Sequence, residues 1–109
     1  MDKLIKILKE ISIVFAYDHF AEGKNVSPPY ICYLLPKSNN FSADGVVYFK
    51  KNNVQIELYV KKKDTKIEKQ VEVILDKYNY FYNKSEVWIS SEKLYKVLYE
   101  FEMEVSEDE

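Results

Sequence analysis

A histidine beside a carboxylate is the clearest candidate for acid–base chemistry in this sequence. His19 is the only histidine of the 109 residues, it directly follows Asp18, and Glu22 lies three positions further on. A neighbouring carboxylate orients an imidazole and stabilises its protonated form, so such a pair can act as a general base. No serine or cysteine nucleophile motif accompanies the pair. A small hydrolase or nuclease that uses Asp18, His19 and a strand carboxylate is therefore a secondary hypothesis.

The other reactive residue types do not form a catalytic, cofactor or metal motif. Cys32 is the only cysteine and lies in an apolar run, which predicts a buried, unreactive thiol. Two glycines do not make a phosphate-binding loop, and no spacing of histidine, cysteine and carboxylates matches a metal site. Three further carboxylates are expected in solvent, on a strand's wet side or a helix's outer side: Glu57, Glu68 and Glu72. Our main expectation is a protein with no catalytic residue, no cofactor and no metal ion.

Composition argues against nucleic acid and membranes as partners. A net charge of −2, from 16 basic and 18 acidic residues, gives no basic field for sequence-specific nucleic-acid binding. The N-terminal segment is apolar on one side only, and lysines interrupt it too often for a signal peptide or a membrane span. The single cysteine is typical of a reducing compartment such as the cytosol. Ten tyrosines, six phenylalanines and one tryptophan exceed the needs of a core this size and favour a protein interface.

The elements that must position these residues begin with a helix and a strand. Asp2 is a suitable residue to cap a first helix. Its apolar stripe comprises Leu4, Leu8, Ile11 and Phe15. Residues 17–29 have the composition of a loop, and the apolar run Tyr30 to Leu35, bounded by prolines, predicts a strand. A polar loop follows over residues 37–42, and Asp44-Gly45 predicts a turn.

A hairpin and a second helix are predicted in the middle of the chain. Residues 46–51 and 54–60 alternate between apolar and polar side chains, and Asn52-Asn53 between them favours a tight turn. Thr65 and Glu68 have the spacing of a capping box, which places a helix start at Thr65. The apolar stripe of this second helix comprises Ile67, Val71, Ile74, Leu75 and Tyr78. We expect the helix to lie across the apolar face of the hairpin.

A final hairpin completes the predicted fold. Its arms are residues 87–89 and 94–105, and a short acidic tail, residues 106–109, ends the chain. Residues 1–109 are therefore expected to form a single α+β domain. It has a mainly antiparallel sheet of about five strands, two helices packed on one face and the order α-β-β-β-α-β-β.

Two loops and one strand face are the predicted contact surfaces. Long polar loops on a small rigid sheet are common recognition sites, so we expect the loops 18–28 and 37–44 to contact other subunits or partners. Glutamates 100, 102 and 104 share the outer face of the last strand, where they either guard a sheet edge or dock a basic partner. The candidate interface residues are Asp18, His19, Phe20, Lys24, Ser38, Asn39, Asn40, Phe41, Glu100 and Glu102.

Most of the chain, from about Tyr17 to Phe101, resembles the small tail terminator or tail completion proteins of long-tailed bacteriophages and prophages. The resemblance is carried by Pro29-Tyr30, Tyr33, Ser38-Asn39-Asn40-Phe41, Ala43-Asp44, Tyr48, Val54-Gln55-Ile56-Glu57-Leu58-Tyr59, Lys63-Asp64, Glu68, Leu75, Phe81-Tyr82 and the run from Tyr95 to Tyr99-Glu100-Phe101. These residues indicate a similar fold, and none of them belongs to a catalytic motif.

The resemblance implies a non-enzymatic virion protein. Such a protein assembles in the cytoplasm of the bacterial host and forms a ring, expected to be a hexamer, on the head-proximal end of the finished tail tube. Its partners would be copies of itself, the tail tube protein and a head completion or neck protein. The nearest alternative is a head-side neck protein, which the sequence does not separate from a tail-side one.

Overall fold

The structure is a computed structural model that describes residues 2–20, 26–35, 38–43 and 46–105. These residues form two helices and six strands. In chain order they are α1 (Asp2–Ile11), β1 (Phe15–Tyr17), β2 (Tyr30–Leu34), β3 (Ser38–Ala43), β4 (Val46–Val60), α2 (Thr65–Lys77), β5 (Asn83–Ile89) and β6 (Leu94–Val105). The acidic tail, the Asp44-Gly45 turn and Lys24 lie outside the described residues.

All six strands belong to one sheet, with β4 at its centre. The order across the sheet is β1-β2-β4-β6-β5, and β3 pairs with the first part of β4. Every pairing is antiparallel except that of β1 with β2, which is parallel. The predicted α+β class, with a mainly antiparallel sheet and two helices, is confirmed.

Both helices pack on the same face of the sheet and bury its apolar side chains. The strand period of two places alternate residues of β4 and β6 on this face: Val54, Ile56, Leu58, Val60, Val97, Tyr99, Phe101 and Met103. The helices contribute Leu4, Ile7, Leu8, Ile11, Val71 and Leu75. A hydrogen bond of 2.6 Å from Gln70 Nε2 to the Ile11 carbonyl joins α2 to the end of α1. The predicted apolar stripes are therefore confirmed, except that Phe15 lies in β1.

The hairpin predicted at Asn52-Asn53 was wrong, because β4 runs through both asparagines as one strand of 15 residues. Strand β4 is paired with a neighbouring strand on each of its two edges at Asn52. Asn52 is opposite Ser38 of β3 and opposite Met103 of β6, and Asn53 is opposite Glu102. Asparagine tolerates a turn but does not require one, and hydrogen bonding to two neighbours favours the extended backbone.

The loop predicted over residues 37–42 is largely strand β3, and β1 begins inside a region predicted to be helical. The serines and asparagines of β3 have low strand propensity, but pairing with β4 satisfies their backbone groups. The register shifts between Phe41 and Ser42, as at a β-bulge. Local composition therefore did not decide the structure here; the neighbouring strand did.

The start of α2 was predicted correctly, but its capping residue was not. The N-cap is Asp64, whose Oδ1 accepts hydrogen bonds from the backbone N–H groups of Lys66 at 3.0 Å and Ile67 at 3.4 Å. Thr65 is the first helical residue. An aspartate also places negative charge at the positive end of the helix dipole.

Glu68 holds α2 against the edge of the sheet, and the prediction that it lies in solvent was wrong. It is 3% exposed. Its two carboxylate oxygens lie 2.7 Å from Lys63 Nζ and 2.6 Å from Lys84 Nζ. Lys84 on β5 also lies 2.7 Å from Glu72, whose carboxylate accepts a hydrogen bond of 2.8 Å from Tyr99 OH. The Glu68 carboxylate can be buried because the ammonium groups of Lys63 and Lys84 replace the water that would otherwise solvate it.

Removing the cap of α2 should destabilise the protein. We expect Asp64→Ala to lower the free energy of unfolding by about 1 kcal/mol, because two helical N–H groups lose their acceptor. Asp76→Ala is the matched control, since it removes an exposed aspartate from the last turn of the same helix and leaves stability unchanged or slightly higher. Urea denaturation measures both. Equal losses in the two variants would contradict the assignment of the cap.

The Glu68 carboxylate should make stability depend on pH in the acid range. Burial raises the pKa of Glu68, but the hydrogen bonds from Lys63 and Lys84 outweigh burial and hold the pKa below its ordinary value of 4.5. Because the folded pKa is the lower one, the carboxylate stabilises the fold above about pH 4.5, and this contribution is lost as the pH falls through the folded pKa.

We expect Glu68→Gln to lower the free energy of unfolding at pH 7 by about 1–2 kcal/mol, less than for a fully buried pair because both lysines reach water. The difference from the wild type should shrink as the pH falls towards about 3. Glu86→Gln, which removes an exposed partner of Lys63, is the control and should have a smaller effect. A difference between Glu68→Gln and the wild type that does not change with pH would contradict the ion-pair explanation.

Candidate functional site: the open face of the sheet

The face of the sheet opposite α1 and α2 is the candidate functional site. Within the described part of the chain no helix covers it. The strand period and the register place on this face Tyr30, Cys32, Asn53, Gln55, Glu57, Tyr59, Lys96, Leu98, Glu100 and Glu102, which we call the open face. Its residues are polar or aromatic for the most part, whereas the opposite face is apolar.

One end of the open face is a cleft that contains the histidine. It has a volume of about 250 Å³ and is lined by Asp18, His19, Phe20, Val26, Tyr30, Cys32, Tyr59 and Glu92. The segment that follows β1 forms one wall, and Glu92 comes from the turn between β5 and β6. Three predicted interface residues, Asp18, His19 and Phe20, are therefore brought together at this cleft.

Aromatic rings line the cleft. Tyr30 and Tyr59, on neighbouring strands, stack with ring centroids 4.9 Å apart. Phe20 packs edge-on against Tyr30 at 5.5 Å. Rings that keep one side towards solvent favour contact with a partner, because they offer a large apolar area at a small cost in conformational entropy.

The Asp18 and His19 side chains form a solvent-facing pair. Nδ1 of His19 lies 2.9 Å from Oδ2 of Asp18, and the two side chains are 76% and 52% exposed. Cys32, which lines the same cleft, is not an activated nucleophile. Burial, followed by the charges of Glu57 and Asp18, raises the pKa of its thiol to about 11, so the thiol is protonated at neutral pH.

The middle of the open face holds a charged group whose members satisfy one another. Glu57 accepts a hydrogen bond of 3.0 Å from Tyr59 OH and lies 3.4 Å from Lys96 Nζ. Burial, with the charge and hydrogen bond of Glu57, raises the pKa of Tyr59. The Glu57 side chain is 14% exposed, so the prediction that solvent alone accounts for it was wrong. Its partners come from its own strand and from β6.

The other end of the open face is a polar notch next to the predicted glutamates. The notch has a volume of about 350 Å³ and is lined by Asn53, Val54, Gln55, Asn83, Glu100, Phe101 and Glu102. Gln55 Nε2 donates a hydrogen bond of 3.1 Å to Glu100. In the register, Glu100 lies between Gln55 and Asn83, and Glu102 lies opposite Asn53. Amide side chains beside the exposed glutamates reduce the cost of stacking like charges on one strand.

The remaining predicted interface residues belong to a different part of the sheet. Ser38, Asn39, Asn40 and Phe41 lie in β3, opposite Asn52, Lys51, Lys50 and Phe49 of β4. Lys24 lies outside the described residues. The structure therefore groups Asp18, His19 and Phe20 at the cleft and Glu100 and Glu102 at the notch, with both groups on the open face.

Sequence reasoning missed several residues of the open face. Strand alternation placed Gln55 and Tyr59 on the solvent side of β4, but the sequence reasoning did not name them as contact residues. Glu92 left no such signal, because the turn that carries it reaches the cleft only through the pairing of β6 with β4.

Neither a metal cluster nor a membrane-spanning helix occurs among the residues that the structure describes. No group of three or more histidine, cysteine and carboxylate side chains in that part of the chain could hold a metal ion. The two helices, of 10 and 13 residues, are too short to cross a bilayer.

Cys32 should be protected from thiol reagents in the folded protein. The side chain is 5% exposed and its pKa is raised to about 11, so we expect reaction with a disulfide reagent at pH 8 to be at least ~100-fold slower than in denaturant. The rate of thiolate release measures this, with urea-unfolded protein as the reference. Comparable rates in the two states would contradict the buried position of the thiol.

No protein-family model matches the sequence, and no curated protein matches it.

Proposed function

We propose that this protein is a non-enzymatic tail terminator of a long-tailed bacteriophage or prophage. In this function it forms a ring, expected to be a hexamer, on the head-proximal end of the tail tube, stops tube growth and joins the tail to the head. It assembles in the cytoplasm of the bacterial host and remains in the virion. The proposal rests on the resemblance in the sequence and on three features of the structure that support it.

The first support is that residues carrying the resemblance contact one another. Tyr30 stacks on Tyr59, Gln55 donates a hydrogen bond to Glu100, and Lys63 is paired with Glu68. Asp64 caps α2, and Leu75 is fully buried in the core. Residues of the pattern that lie far apart in the sequence, such as Tyr30 with Tyr59 and Gln55 with Glu100, therefore contact one another in the fold.

The observation that carries the proposal furthest is a two-stranded arm formed by β3 and the start of β4. The pairing of β6 with β4 begins at Lys50, so over residues 46–49 the described partner of β4 is β3 alone. The arm therefore extends past the rest of the sheet, and the longest dimension of the molecule is 50 Å. An extended strand pair has backbone donors and acceptors at its edges, which favours pairing with another subunit or with the tube.

The open face provides the second contact surface. Stacked tyrosines at the cleft and exposed carboxylates at the notch combine apolar area with hydrogen-bonding groups, as protein interfaces do. Glu100 and Glu102 at the notch suit a basic partner surface. The aromatic surplus of the sequence is thus partly accounted for by residues that face outward.

A head-side neck protein is the alternative position for the same ring. Its contacts would involve the head completion protein rather than the tail tube. The two positions differ only in the protein that the ring binds, so identifying the bound protein distinguishes them.

Binding to the tail tube protein from the same genome tests the proposal. We expect electron microscopy to find the protein at one end of assembled tubes, and light scattering to detect a complex between the protein and the tube protein. Tubes of unchanged length with bare ends would contradict the tail-side function, and binding to the head completion protein alone would move the protein to the head side.

Charge reversal on the open face should weaken this complex. We expect Glu100→Lys to raise the dissociation constant for the tube by about tenfold or more, since a carboxylate facing a basic partner becomes a repulsive cation. Lys69→Glu, a charge reversal at an exposed position of α2, is the matched control and should bind as the wild type does. Thermal melting verifies that both variants are folded. Equal affinities would exclude the notch from the interface.

A further inference from the structure

A phenylalanine at the end of α2 is almost completely exposed. Phe81 is 98% exposed, more than any other large hydrophobic residue whose exposure the structure describes. It follows the C-cap of α2 at Tyr78 and precedes β5. Its neighbours Tyr80 and Tyr82 pack on Phe101 and Tyr99. The chain on both sides of Phe81 is therefore anchored, and the ring is held outward as an isolated apolar projection.

A pocket suited to such a ring lies near the other end of the same helix. It has a volume of about 290 Å³ and is lined by Pro28, Pro29, Val60, Ile67, Asp64 and two lysines, Lys61 and Lys62. Its apolar residues come from the segment before β2, the end of β4 and the first turn of α2. The volume is at the lower end of the range for small-ligand pockets, which suits a single aromatic side chain.

The projecting ring and the pocket of one molecule cannot meet. The pocket includes Asp64 and Ile67 at the start of α2, whereas Phe81 follows its end. A helix of 13 residues is roughly 20 Å long, so this distance separates them within one rigid element. If Phe81 of this protein fills this pocket, the ring and the pocket therefore belong to two different copies.

The charges at the two sites are complementary. Asp76 is exposed and lines the same recess as Phe81. Of the nearby cations, Lys77 is paired with Glu10 at 2.6 Å, and Lys3 Nζ lies 5.4 Å from the centre of the Tyr80 ring. At the pocket, Lys61 and Lys62 are exposed, and the Asp64 carboxylate accepts hydrogen bonds from the start of α2. Docking would bring the Asp76 carboxylate towards two exposed lysines.

We infer that copies of this chain associate head to tail, with Phe81 of one subunit seated in the Pro28, Pro29, Val60 and Ile67 pocket of the next. Two different surfaces meet in such a contact, so it repeats from subunit to subunit and closes into a ring if the rotation between neighbours allows. The closed ring rests on the proposed function. The contact itself rests on the exposed ring, the pocket and their charges.

Disulfide trapping between two variants tests the contact. Phe81→Cys and Lys61→Cys are purified separately, mixed and oxidised; the native Cys32 is buried and does not interfere. We expect about tenfold more mixed dimer than from Tyr17→Cys with Lys61→Cys, because only cysteines held at close range form a disulfide readily. Tyr17 is an exposed residue of β1, which lies at the opposite edge of the sheet from β5. A yield no higher than that of the control pair would overturn the inference.

Two substitutions at exposed apolar positions provide a second measurement without oxidation. In sedimentation velocity at increasing concentration, or on assembled tubes, Phe81→Ala should lose self-association while Val73→Ala, exposed on α2, keeps it. Neither substitution removes a buried side chain, so both variants should fold. Equal association of the two variants would also overturn the inference. Trapped dimers without tube binding would refute the proposed function alone, and tube binding without trapped dimers would refute this contact alone.

Discussion

The pairing of β4 on both of its edges is the constraint on which the rest of the structure depends. Over residues 55–59 the strand lies between β2 and β6, and over residues 50–52 it lies between β3 and β6. One face of the strand supports both helices, and the other carries the centre of the open face. The position of every candidate contact residue in the described sheet therefore follows from the register of this one strand.

The two faces of the sheet differ in how their polar groups are satisfied. On the helix side, Glu68 is enclosed and needs Lys63 and Lys84 to replace water. Glu72 beside it is partly buried and is paired with Lys84 and Tyr99. On the open side, polar groups pair across strands but keep contact with solvent. The first arrangement fixes α2 to the edge formed by β5. The second leaves a surface whose hydrogen bonds can be exchanged for those of a partner at moderate cost.

The sequence predicted those parts of the fold that depend on local periodicity. The stripes of α1 and α2 and the alternation of β6 were sufficient for the α+β class, because each repeats over several turns or residues. The extended path through Asn52 depends on partners 14 and 51 positions away, Ser38 and Met103. Strand β3 depends on its pairing with β4, and the burial of Glu68 depends on Lys63 and Lys84. None of these contacts produces a periodic pattern in the sequence. The outward position of Glu100 and Glu102 followed from alternation, whereas the cleft around His19 required the assembled sheet.

The long pairing of β4 with β6 also affects how the chain can fold as it is synthesised. Val54 is opposite Phe101 and Val60 is opposite Tyr95, so β4 is synthesised 35 to 47 residues before its partners in β6. Until β6 is available, the central strand has an apolar side and an open backbone edge, a combination that favours pairing with other chains. The complete sheet therefore forms only after β6 has been synthesised, and a truncation before residue 94 would produce an aggregation-prone fragment rather than a smaller domain.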